Sequence, residues 1–200
     1  MKNKKVSEKI LIFALITIPI FTILFAIEKS PFNYTLSMIG NWFGLEERIE
    51  FIVWGIFTAF MLAFFLKNIY IETRFNDGKA NYMLYLSSLF LILAVFVPTV
   101  NREPIPKELR PFLYFNLHVL FVVLFAVFLT ISLYMFTKYL SKKTKNGSVS
   151  PVKYLMFTSG ISILLLTIFG MTGIFEISFF TSLSIFLIIL ERRSKKIAER

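Results

Sequence analysis

Three side chains in this sequence stand out chemically against what surrounds them: Ser37, His118 and Glu176. His118 is the only histidine, and it opens a long apolar run, "LHVLFVVLFAVFLTI". Glu176 lies early in another, "GIFEISFFTSLSIFLIIL". A hydroxyl, an imidazole and a carboxylate are the parts of a nucleophile, its base and an orienting acid. The serine's own stretch, "YTLSMIG", lacks the G-x-S-x-G pattern of a nucleophile elbow. The same three groups suit hydrogen bonding to each other or to a ligand. An ionisable group inside an apolar segment is costly, so it calls for a partner or a task.

Other chemistries are excluded by composition. The chain has no cysteine, which removes disulfides, thiolate metal ligands and a cysteine nucleophile. One histidine among scattered carboxylates is a poor zinc set, because catalytic zinc takes three protein ligands rich in histidine. No metal and no cofactor is expected.

The elements that must position these residues are apolar helices. Hydrophobic residues make up 56% of the 200, with 25 phenylalanines, and mean hydropathy is +0.72. Soluble domains run nearer 45–50% apolar and rarely repeat uncharged windows of about 20 residues. Six windows qualify as membrane spans: 10–27, 51–70, 82–100, 113–137, 154–171 and 174–190. The first follows a basic start but precedes no small-residue cleavage site, so it reads as a retained first helix. The expected fold is all-α: a single transmembrane domain over 1–200, a bundle of six transmembrane helices.

Charge then sets the orientation. With the N-terminus cytoplasmic, all but five of the 22 Lys and Arg residues fall on the inner side; the five are Lys29, Arg48, Arg102, Lys107 and Arg110. That is a strong positive-inside bias, and it puts both termini in the cytoplasm. It also accounts for the net charge of +10 without nucleic acid, since the basic residues form juxtamembrane clusters suited to anionic lipid headgroups. Membrane lipids are the expected partners, with a homo-oligomer also open.

The inner connections carry turn signals, Asn76-Asp77-Gly78 and Asn146-Gly147, and read as solvated loops. The outer ones are richer. Ser30-Pro31 is a cap-and-first-turn pair for a short amphipathic helix over 31–43, with Gly40 and Gly44 as stops. Its spacing puts Tyr34, Ser37 and Asn41 on one face and Phe32, Leu36, Ile39 and Phe43 on the other. Pro98 closes the third span, Pro104 and Pro106 extend the loop, and Pro111 starts the fourth helix. A tight Gly170–Gly173 turn brings Glu176 to a depth like that of His118. His118, Glu176, Ser37 and Asn41, with Glu28, Arg110 and Tyr114 nearby on the same side, make the candidate ligand pocket. Thr158, Gly160 and Ser162, then Ser178 and Ser182, have the small-residue spacing of close helix packing.

Four short motifs carry a resemblance: "YTLSMIG", Pro98, "NLH" and "GIFE". Together they resemble the pattern of prokaryotic six-span membrane proteins grouped as domain of unknown function 998. That group is itself distantly similar to the damage-regulated autophagy modulator type of membrane protein. The resemblance implies a prokaryotic plasma membrane location and marks Ser37, Gly40, Pro98, His118 and Glu176 as family positions. It departs from the pattern at Thr99–Asn101, where an acidic residue is expected, and at Ile177, where arginine is expected. The family brings no established activity. The residues leave three readings open: an outward-facing pocket for a lipid or amphiphile, a membrane-embedded hydrolase or transferase, and a small transporter.

The orientation is directly testable because the chain is free of cysteine. Ser148→Cys is expected to react with an impermeant maleimide only from the cytoplasmic side, and Lys107→Cys only from outside. Reversed labelling at both positions would invert the topology.

Overall fold

The computed structural model describes the backbone of residues 2–98, 117–143 and 150–198. These residues form seven helices and no strand: α1 (Lys2–Ile27), α2 (Leu36–Trp42), α3 (Leu45–Glu72), α4 (Gly78–Phe96), α5 (Leu117–Lys143), α6 (Pro151–Phe169) and α7 (Gly173–Ala198). Helices α3 to α7 are each long and apolar enough to cross a membrane. Leu15–Ile27 of α1 is a shorter apolar stretch. Phe13, Phe60, Phe157 and Ile163 are all more than half exposed on the outside of the bundle. Water would not tolerate so much apolar surface, whereas hydrocarbon favours it. The chain is an apolar helical bundle of the integral membrane kind.

Local chemistry sets the helix ends. Asp77 accepts hydrogen bonds from the amides of Lys79 (2.9 Å) and Ala80 (3.1 Å), so the Asn-Asp-Gly turn signal is also the cap of α4. Pro151 occupies the first turn of α6, and Gly170 ends that helix with φ +68°, a conformation that glycine adopts without strain. The α3–α4 connection is firmer than a solvated loop. Phe75 is buried and rings with Tyr70, Phe136 and Tyr139, while the Tyr139 hydroxyl donates to the Thr73 carbonyl (2.9 Å).

Helix α4 packs most extensively on α5 and next on α3; α1 lies against α7 and α3. Among the described residues, helix α6 packs on α5 and α7, and α5 meets α7 mainly through side chains, Phe125 against Phe179 and Phe180. Two glycines permit the tightest approaches. A Cβ on Gly55 would collide with Val95 of α4, and one on Gly40 would collide with Phe51 of α3. Buried hydrogen bonds cross-link the helices elsewhere. Tyr70 of α3 bonds Ser132 of α5 (2.8 Å), whose hydroxyl donates to the Ala80 carbonyl of α4 (2.8 Å). The Trp54 indole N–H of α3 donates to the Thr22 hydroxyl of α1 (2.9 Å).

Three expectations are corrected. The short helix starts at Leu36 behind Thr35, whose hydroxyl accepts from the Met38 amide, so Ser30-Pro31 is not its cap. It is also not an amphipathic helix resting on the surface: Leu36, Ser37, Ile39 and Gly40 are buried against the protein, and Gly40 lies inside it rather than stopping it. Gly160 faces open space on α6, so it mediates no close helix contact, and the hydroxyls of Thr158 and Ser162 bond back to their own helix.

The two kinds of glycine should therefore respond oppositely to one methyl group. Gly55→Ala is expected to destabilise the bundle by about 1–3 kcal/mol through overpacking against Val95. Gly160→Ala meets nothing within 4 Å and should stabilise by about 0.5–1 kcal/mol through helix propensity. Thermal unfolding in detergent reads both; two changes of the same sign would refute the packing.

Candidate functional site

Pro98 leaves a specific deficit at the end of α4. The Ala94 carbonyl would ordinarily accept from the amide of residue 98, but proline has none. His118 fills the gap. Its Nδ1 lies 2.8 Å from the Ala94 carbonyl oxygen and 3.2 Å from that of Val97. Both partners are acceptors only, so Nδ1 carries the proton, and in the neutral ring Nε2 holds a free lone pair. Arg48 completes the cap from α3, donating through Nη2 to the Phe96 carbonyl (2.8 Å) and through Nη1 to the Asn41 side chain (2.7 Å). The single imidazole sits in an apolar span because it ends a neighbouring helix.

Glu176 does the reciprocal work at the start of α2. Its Oε2 accepts from the Leu36 amide at 2.6 Å, a link across 140 residues of chain. The first amides of α7 are in turn taken by the segment before α2: Gly173 donates to the Tyr34 carbonyl (2.8 Å) and Ile174 to that of Pro31 (3.0 Å). The two helix starts thus cap each other, and both macrodipoles favour negative charge at this point. The fit requires glycine at 173, where a Cβ would come within 2.8 Å of the Tyr34 carbonyl oxygen.

These caps surround a cavity of about 100 Å³ in the gap between α5 and α7. Helix α5 lines it with His118, Val122, Phe125 and Ala126, the i, i+4, i+7, i+8 face. From α7 come Phe175, Glu176, Phe179 and Phe180. Helices α2, α3 and α4 close it with Leu36 and Ser37, Phe51 and Trp54, and Leu91, Ala94 and Val95. The lining is aromatic and aliphatic apart from Ser37, His118 and Glu176. Three of the sequence candidates therefore share one chamber.

The remaining candidates stand elsewhere. Asn41 is engaged by Arg48 and by the Ser37 carbonyl and does not line the cavity. Glu28 is exposed just beyond α1. Arg110 and Tyr114 lie outside the described residues, as does the Pro111 helix start. His118 and Glu176 are not bonded to each other: His118 pins α5 to α4, and Glu176 pins α7 to α2. The Ser37 hydroxyl bonds Thr35 (2.9 Å) rather than His118, so the nucleophile–base–acid chain is not assembled in this conformation. Among the described residues no group of three His, Asp or Glu side chains is placed to hold a metal. Trp54 and Phe51 were missed because aromatics are abundant here, whereas the Ala94 deficit was readable from Pro98. No protein-family model, curated protein or solved structure matches this chain.

The Pro98 account makes a specific double-mutant prediction. His118→Ala leaves the Ala94 carbonyl unpaired in an apolar setting and should cost about 1–3 kcal/mol. Adding Pro98→Ala returns an amide donor to that carbonyl and should recover part of the loss in thermal unfolding. A strictly additive or worse double mutant would refute the capping role.

Proposed function

We propose that this protein is a six-span integral membrane protein, both termini cytoplasmic, that takes one end of a lipid or other amphiphile into the α5–α7 cavity. The observation that carries this reading is the cavity's make-up: an apolar, aromatic wall interrupted by Ser37, His118 and Glu176. Amphiphile sites have that composition, with few polar groups fixing orientation in an otherwise apolar chamber.

The orientation rests on the sorting of charge, and further support comes from the end of the bundle opposite α2. There Lys143 stacks over Tyr139 and Arg193 over Tyr154, each 4.4 Å from the ring centre, with Lys138 over Tyr134 beside them. Tyrosine and basic side chains together suit the headgroup level of a cytoplasmic leaflet. Helix α1 supplies the sixth span, and the exposed apolar face of α6 lies in lipid. The resemblance to the six-span family of unknown function 998 belongs to this reading: of its marked positions, Ser37, Pro98, His118 and Glu176 belong to the cavity or to the cap beside it, and Gly40 packs on Phe51 of the cavity wall.

Filling the chamber tests the proposal. A photoactivatable diazirine lipid, irradiated with the protein in nanodiscs, is expected to cross-link to residues 118–126 of α5. Ala126→Leu should reduce that labelling several-fold while leaving thermal stability close to wild type. Labelling confined to the outer face of α6, or unaffected by the substitution, would refute the pocket.

A further inference from the structure

We infer that the cavity selects an amphiphile whose headgroup is a hydroxyl, such as a long-chain alcohol or a monoacylglycerol, over phosphate-bearing amphiphiles. This rests on the proposed reading of the cavity as an amphiphile site.

The argument is an inventory of free hydrogen-bonding positions. Nδ1 of His118 is committed to the α4 carbonyls, which leaves Nε2 as an acceptor in the neutral ring. Oε2 of Glu176 is committed to the Leu36 amide, which leaves Oε1. The Ser37 hydroxyl is shared with Thr35. Among the described residues, no lysine or arginine lines the chamber.

A phosphate headgroup brings negative charge and acceptors. It would face the Glu176 carboxyl with no cation among the described lining residues to balance it, in a wall that is almost wholly apolar, and burial of such a charge is heavily penalised. The α2 amide that might have welcomed an anion is already occupied by Glu176. A hydroxyl brings one proton and lone pairs, so it can donate to Nε2 or Oε1 and accept from Ser37 without net charge. Size agrees. At about 100 Å³ the cavity is smaller than the engineered apolar cavities of roughly 150 Å³ that admit benzene, so a compact headgroup and the first few methylenes fit while the chain stays outside.

Trp54 lines the cavity and Trp42 does not, and these are the chain's two tryptophans. In a Trp42→Phe variant of the full chain, Trp54 emission therefore reports occupancy. Brominated alkyl probes of one chain length, ending in an alcohol or a phosphate group, are titrated against the protein in nanodiscs. The alcohol is expected to quench Trp54 saturably, with an apparent affinity roughly 10-fold or more above the phosphate probe, and Ala126→Leu should abolish the saturable part. Equal or tighter binding of the phosphate probe, still blocked by Ala126→Leu, would overturn the headgroup assignment and leave the amphiphile pocket standing. Absence of saturable quenching by both would overturn both readings.

Discussion

Backbone groups at helix ends have no water to turn to inside an apolar bundle, and that constraint organises this molecule. The protein meets it with side chains borrowed from other helices. Glu176 of α7 takes the first amide of α2, and His118 of α5 takes the carbonyls that Pro98 leaves open on α4. Arg48 adds a third such link, from α3 to α4. Each cap is also a tertiary contact, so the polar groups that finish the helices set how the helices stand relative to one another. Removing a cap leaves an unpaired group in a medium of low dielectric, and that group cannot be rescued by solvent.

The cavity follows from this arrangement. Helices pinned at their ends by specific polar contacts need not bring their backbones together along their full length, and α5 and α7 do not. Gly40 and Gly55 let α2, α3 and α4 pack closely and Gly173 seats the start of α7 on the segment before α2, while α5 and α7 meet through the bulky rings of Phe125, Phe179 and Phe180. The groups that cap the helices keep one free position each, and those positions point the chemistry of the chamber toward a small polar headgroup. Structural capping and recognition use opposite sides of the same side chains.

Much of this was legible in the sequence, and the limits have physical causes. Apolar windows located the helices because a bundle in hydrocarbon must hide its backbone and display its side chains; α3, α4, α6 and α7 lie within a few residues of the expected windows. His118, Glu176 and Ser37 were identifiable as polar groups too costly to be idle. Their partners are backbone groups: the Leu36 amide has no signature of its own, and the Ala94 carbonyl shows only indirectly, through the proline four residues on. Spacing rules placed Leu36 and Ile39 on one apolar face, and both are buried in protein; periodicity reveals an apolar face without naming what covers it. Gly160 erred in the other direction: small residues permit close packing but do not compel it.

The account depends most on which ring nitrogen of His118 holds the proton. A chain with one histidine yields a single imidazole pair in nitrogen NMR, so the assignment is unambiguous for isotope-labelled protein in lipid. Capping of α4 by His118 predicts a protonated Nδ1 in hydrogen-bond contact with carbonyl oxygens and an unprotonated Nε2 facing the cavity. An unprotonated Nδ1, with the proton on Nε2, would contradict both the cap and the acceptor it leaves for a ligand.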